Sequence, residues 1–128
     1  ADPRLLSVGE IVCHMVHAQT TYATKLDPAS AIDSPLNRAE ARYYLSNVDQ
    51  PFSGDLSVED VAREFDRVQK AVKAVFLQCD KERDAPLEFD GPGRTFGEFA
   101  DYMVFHVAYH TGQAFSVRQL MGHKTNYN

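Results

Sequence analysis

Two histidines, His106 and His110, stand four residues apart on the most apolar stripe of a predicted helix. In an α-helix this spacing places both side chains on one face, one turn apart. Two unpaired imidazoles buried there would cost several kcal/mol. A divalent cation satisfies both rings while they stay neutral. The spacing therefore predicts half of a metal site, and a pair of hydrogen-bonded core histidines is the alternative interpretation.

The first helical pattern of the sequence offers a third ligand. Ile11 and Met15 mark its buried stripe, and His14 lies on the shoulder of that stripe. His17 lies further round, toward the flank of the same helix. We therefore expect His14 to be the third ligand, with His17 as the alternative. His123 follows the last helical residues and is expected to face solvent.

Three histidine ligands leave one coordination position open. Structural zinc sites normally fill all four positions with protein ligands. The open position would suit a water, a thiolate or a substrate oxygen. Imidazole suits zinc and nickel best, and iron is a third candidate.

Several polar side chains near these histidines could support them. Glu10, Glu98 and Asp101 are near enough in sequence to accept a hydrogen bond from the second nitrogen of a ligand ring. Helix capping and surface charge are the simpler interpretation for the two glutamates. Gln113 follows His110 by three residues and falls near the same stripe, where it could bond a ligand or a facing helix.

Three helix-start signals divide the chain. Each is a hydroxyl residue followed three positions later by an acid, a pattern that caps a first turn; the pairs are Ser7 with Glu10, Ser57 with Asp60, and Thr95 with Glu98. Apolar residues then recur at steps of three and four, which predicts three amphipathic helices. The second is expected to end near Asp80 and the third at Gly122, a residue type suited to the position after a helix. The predicted inward positions of the third helix include Phe99, Met103, His106, His110, Val117, Leu120 and Met121.

The stretch between the first two helices is less regular. Proline and glycine punctuate it, and a short helix from Leu36 to Asn47 is predicted there. Residues 87–94 are predicted to form a loop. Since no strand-like alternation recurs, residues 1–128 are predicted to form one all-α domain, a helical bundle.

Composition limits the classes of partner. The formal net charge is −5, with 13 basic and 18 acidic residues and no cluster of bases, which argues against nucleic acid as the main partner. No apolar run is long enough to span a membrane, and no signal peptide is visible at the start. Cys13 and Cys79 lie far apart and do not make a disulfide framework. We therefore expect reduced cysteines and a cytoplasmic protein.

Two parts of the chain resemble a known family. The pattern Ser7-x-x-Glu10-Ile11-x-x-His14 resembles the start of the metal-binding helix of the DinB-like (damage-inducible) family. The run H-x-x-x-H-T-G-Q at 106–113, followed by R-Q-L-M-G at 118–122, resembles its last helix.

The resemblance implies a four-helix bundle that holds one divalent metal through His14, His106 and His110. Zinc, nickel and iron are the metals associated with such proteins. Some relatives are thiol-dependent S-transferases or isomerases that use bacillithiol, mycothiol or glutathione, others have been treated as metal-dependent hydrolases, and relatives often form homodimers.

The chain departs from the family pattern at its start. The family usually has a full helix before the first histidine helix, whereas six residues precede Ser7 here. That helix is missing or truncated upstream, or the predicted Leu36–Asn47 helix takes the fourth place, or a partner chain supplies it.

These observations lead to one main functional hypothesis and two alternatives. The main hypothesis is a metal-dependent thiol S-transferase or hydrolase that acts on a small molecule. The first alternative is a non-catalytic, stress-associated bundle in which the metal is structural. The second is a bundle that binds a small ligand without a metal.

Overall fold

The computed structural model describes residues 6–37, 56–90 and 93–124. Three long helices account for most of them: α1 (Val8–Leu26), α2 (Val58–Gln78) and α3 (Phe96–Leu120). Short 3-10 turns lie at Pro28–Ser30 and Glu88–Asp90. The β-structure described for these residues is one isolated antiparallel bridge between Pro86 and Thr95. The all-α class is therefore confirmed.

The three predicted caps begin the three helices. At α1, the Ser7 hydroxyl accepts from the Glu10 amide at 3.2 Å, and the Glu10 carboxylate accepts from the Ser7 amide at 2.6 Å. Thr95 and Glu98 form the same reciprocal box at α3. The Ser57 hydroxyl accepts from the Asp60 amide at the start of α2. Each cap satisfies amide groups that a helix start leaves without intrahelical partners.

Helix α1 lies between the other two helices. Tyr22 contacts Phe99 at 5.1 Å between ring centroids, whereas the earlier residue His14 contacts the later residue His106 at 5.2 Å, so α1 runs antiparallel to α3. The hydrogen bonds between the Gln19 and Gln69 amides, and the shared core further along, make α1 parallel to α2. Adjacent parallel helices need a long connection, because the chain must return to its starting end before the second helix begins. Residues 27–57 provide that length.

The core has two parts. The first lies between α1 and α2 and contains Cys13, Val16, Ala23, Leu36, Val68, Val72 and Val75. The second lies where α3 begins and contains Leu87, Phe99 and Met103. Phe76 of α2 joins them by stacking on Phe96 and Phe99 of α3.

Two predictions about the helices are not confirmed. Leu36 lies in a turn and Asn37 is irregular, while the rest of the predicted Leu36–Asn47 helix lies outside the described residues, so a four-helix bundle is not confirmed. The inward placement of Leu120 and Met121 is wrong, because they are 75% and 61% exposed. The antiparallel register of α1 and α3 explains this result, since both residues lie beyond the level at which α1 begins.

The described helices also bear on the membrane question. Among residues 6–37, 56–90 and 93–124, no helix is both long and apolar enough to cross a bilayer.

Candidate metal centre

Three histidines meet where α1 crosses α3. The Nε2 atoms of His14 and His106 are 3.2 Å apart, and one ring nitrogen from each of His14, His106 and His110 lies within 4.8 Å of the others. The ring centroids are separated by 4.4 to 5.2 Å. All three side chains are buried, with relative exposures of 7%, 8% and 2%.

The spacing of the nitrogens fits a shared cation. A tetrahedral zinc with Zn–N bonds of about 2.05 Å holds its ligand nitrogens about 3.3 Å apart. An octahedral ion with bonds of the same length holds neighbouring ligands about 2.9 Å apart. The 3.2 Å separation of His14 and His106 lies between these values. The donor set therefore suits a divalent ion without selecting one.

Helix geometry explains why the rings converge. His106 and His110 share a face of α3 because they are one turn apart. That face continues into the buried residues Phe99 and Met103, so the phase of α3 is fixed by its core. The antiparallel packing of α1 on α3 brings His14 level with the pair.

Burial keeps the three rings neutral in the metal-free protein. Loss of hydration, reinforced by His110, His106 and His17, lowers the pKa of His14 to about 4. Loss of hydration and then the neighbouring His110 lower the pKa of His106 to about 4. Burial also lowers the pKa of His110, whereas the hydrogen bond that its ring donates to the Gln113 side-chain oxygen raises it. Neutral imidazole is the form that binds metal ions.

A known protein family matches most of this chain. The family model described as the DinB superfamily matches residues 2–114, which is most of the chain. The chain belongs to the DinB superfamily. No curated protein and no solved structure matches this DinB chain significantly.

The remaining candidates of this DinB chain lie elsewhere. His17, the alternative third ligand, has its Nδ1 atom 2.8 Å from the Asn37 side-chain oxygen and is not in the cluster. Glu98 caps α3, and exposed Asp101 forms an ion pair with Arg83 at 2.8 Å, so neither supports a ligand ring. Glu10 caps α1 as expected, although its side chain is 2% exposed.

One polar neighbour of the histidines does contact a ring. The side-chain oxygen of Gln113 lies 2.6 Å from Nδ1 of His110, and its amide nitrogen lies 3.3 Å from the hydroxyl of Tyr109. Of the two contacts foreseen for Gln113, the one to a candidate ligand is therefore present. By contrast, the buried Nδ1 atom of His106 has no hydrogen-bond partner among the described residues.

Two tyrosine rings border the site. Tyr102 lies 5.8 Å from the ring of His106, and Tyr109 lies 5.1 Å from the ring of His110. They are 36% and 51% exposed, so they lie between the histidines and solvent. The spacing of Tyr102 and His106, four residues apart, was the available signal for the first of them.

A cleft of about 590 Å³ adjoins the site, between the start of α1 and the second half of α3. Tyr109 and Gln113 belong both to its wall and to the surroundings of His110. Ile11 and Val117 provide apolar surface, and none of the described residues that line the cleft is charged. A cleft of this size accommodates a small molecule.

Proposed function

We propose that this chain binds one divalent cation through His14, His106 and His110. The observation that carries the proposal is the burial of three neutral imidazoles with one nitrogen each inside 4.8 Å. Buried polar groups need partners, and a cation provides one for all three rings at once. Zinc and nickel suit this donor set best, with iron as the third candidate.

We further propose that the centre is catalytic, as a thiol S-transferase or a hydrolase of a small molecule. Among the described residues no Cys, Asp, Glu or further His joins the three histidines, so the protein fills fewer positions than a closed structural site requires. When bound, a divalent cation with an open position lowers the pKa of a water or thiol and supplies a nucleophile near neutral pH.

The protein's own groups would hold and orient the reactants. The rings of Tyr102 and Tyr109 cover the histidines on the outer side and restrict the approach of water. The cleft beside His110 offers apolar surface from Ile11 and Val117, together with the Tyr109 and Gln113 polar groups. This surface fits an uncharged, partly apolar substrate.

Turnover assays with the full chain test the catalytic proposal. The chelated protein and the protein reloaded with zinc or nickel are assayed with low-molecular-weight thiols plus an electrophile, and with activated esters. We expect turnover that disappears on chelation and in His110→Ala, and returns on reloading. His123→Ala is the matched control, because His123 is an exposed histidine near the end of the chain. Absence of metal-dependent turnover with all of these substrates would contradict the proposal that the protein is an enzyme.

A structural metal is the second candidate. The described residues that line the cleft favour it, since they include no carboxylate or basic side chain that could move a proton. The three histidines also connect the first helix of the structure to the last. A large fall in melting temperature on chelation, with no turnover, would support this candidate.

We also propose a homodimer formed through the outer face of α3. Between Asp101 and Arg118 the helix has no Asp, Glu, Lys or Arg, whereas the chain as a whole carries a net charge of −5. Val104, Phe105 and Tyr109 on this helix are more than half exposed. An uncharged helix that exposes several large apolar side chains is normally covered. Sedimentation analysis should show a dimer that Phe105→Glu dissociates and that Leu77→Glu, at an exposed leucine of α2, leaves intact.

The expectations about nucleic-acid binding and cellular location remain proposals. The acidic net charge supports a protein without a nucleic-acid partner, to be tested by a DNA-binding titration. No disulfide joins Cys13 and Cys79, in keeping with a cytoplasmic location that cell fractionation would test.

A further inference from the structure

The contact between Gln113 and His110 distinguishes one histidine of the cluster from the other two. Gln113 lies three residues after His110 on α3, and its side-chain oxygen is 2.6 Å from the Nδ1 atom of the ring. Its amide nitrogen is 3.3 Å from the hydroxyl oxygen of Tyr109. In this arrangement the amide nitrogen donates to the hydroxyl, and the amide oxygen faces the imidazole.

The direction of this hydrogen bond determines where the proton of His110 resides. An amide oxygen only accepts hydrogen bonds, so Nδ1 of a neutral His110 must carry the hydrogen. The other nitrogen, Nε2, then presents its lone pair. Which nitrogen of a histidine is available to a ligand is set by the hydrogen bond that the other nitrogen makes.

The contact between His14 and His106 differs from that between His110 and Gln113. Their Nε2 atoms are 3.2 Å apart, and in the neutral state one must donate to the other. The Nδ1 atom of His106 is buried and has no hydrogen-bond partner among the described residues, so no neighbour there assigns its proton. The Nε2 lone pair of one of these two rings is therefore occupied by the hydrogen bond from the other ring.

We propose that Gln113, oriented by Tyr109, is a positioning residue that holds His110 as its Nδ1–H tautomer and keeps Nε2 ready to bind a cation. His110 is then the pre-set ligand of the cluster, whereas the His14 and His106 pair must exchange its internal hydrogen bond for the cation. The consequence for metal affinity rests on the proposed function, but the tautomer is a property of the metal-free protein.

The tautomer can be measured directly. Long-range ¹H–¹⁵N NMR of the metal-free full chain at pH 7.5 reports which nitrogen of each histidine is protonated. We expect His110 in the Nδ1–H form in the native protein and in Gln113→Glu, because a carboxylate accepts the same hydrogen bond. We expect Gln113→Leu to shift His110 toward the Nε2–H form. Gln119→Leu, at an exposed glutamine of the same helix, is the matched control and should change nothing.

Metal affinity gives the second measurement. Competition with a chelator should show zinc bound about 10- to 100-fold more weakly by Gln113→Leu. Affinity close to native is expected for Gln113→Glu and Gln119→Leu. A general loss of packing in Gln113→Leu would not be rescued by the carboxylate, so rescue separates positioning from structure.

The outcomes separate this inference from the proposed function. An Nε2–H His110 in the native protein, or an unchanged tautomer in Gln113→Leu, overturns the inference even if zinc still binds. The native measurement needs no variant, so a failure of Gln113→Leu to fold does not block the test. If His110 is in the Nδ1–H form but neither the native protein nor any variant binds metal, the inference stands and the proposed function fails.

Discussion

At the scale of residues, the central feature is the group of three neutral imidazoles that lie close together, those of His14, His106 and His110. Burial holds the pKa of both His14 and His106 near 4, well below the ordinary value of 6.5. A cation then meets little competition from protons at neutral pH, because the ligands need not be deprotonated first. The same shifts make the stability of the metal-free protein depend on pH.

Stability of the metal-free protein should fall as the pH falls below about 6.5. The unfolded chain binds protons at His14 and His106 between about pH 6.5 and 4, whereas the folded chain does not, so the stabilisation is complete above this window and lost within it. From pH 7.5 to 5.5 each of these histidines should lower the free energy of unfolding by about 1 kcal/mol. Urea denaturation at the two pH values measures the loss.

His106→Leu should weaken this pH dependence, because it removes one of the titrating rings. His123→Ala removes an exposed histidine and should leave the dependence unchanged. Equal slopes in the native protein and His106→Leu would show that the buried rings do not resist protonation.

The residue types of the site could be predicted, but some of their partners could not. The spacing of His106 and His110 needs only helix geometry, and the phase of α1 favoured His14 over His17. The partner of His17 is Asn37, which is 20 residues away across a turn, so no local sequence pattern predicts this contact. The contact of Gln113 with His110 was foreseen as one of two alternatives, and only the orientation of α3 separates them.

At the scale of elements, the start of α3 is held by a close backbone approach. The amide of Gly97 donates to the carbonyl of Arg83 at 2.7 Å, and a Cβ atom at Gly97 would lie 2.8 Å from that oxygen. Because this contact fixes where α3 begins, it also fixes the level at which His106 and His110 meet α1.

Gly97→Ala should therefore destabilise the protein by about 1–3 kcal/mol, since the backbone of residue 83 must move to admit a methyl group. Gly112→Ala is the matched control on the same helix, because nothing lies within 4 Å of a Cβ there. That change should stabilise the protein by about 0.5–1 kcal/mol through higher helix propensity. Thermal unfolding compares the two variants, and an equal effect of both would contradict the close contact at Gly97.

The helices themselves could largely be predicted from the sequence. Their starts follow from hydroxyl and acidic residues at fixed spacing, and the end of α3 follows from Gly122, which has a φ of +83°. The exposure of Leu120 and Met121 could not be predicted, because it depends on how far α3 extends past the start of α1. Periodicity identifies a face of a helix but not the length over which a neighbour covers it.

At the scale of the whole molecule, the histidines connect parts of the chain that are far apart in sequence. His14 and His106 are separated by 92 positions, and their contact joins α1 to α3. A cation held there would cross-link the helix at each end of the described structure. Binding of such an ion is therefore the central property proposed for this chain.

The ratio of bound metal to chain tests this claim most directly. The full chain is loaded with excess zinc, desalted and analysed by inductively coupled plasma mass spectrometry, alongside single alanine variants of each histidine. We predict one zinc per chain for the native protein, His17→Ala and His123→Ala, and well below one for His14→Ala, His106→Ala and His110→Ala. Retention of one zinc per chain in both His106→Ala and His110→Ala would contradict the account.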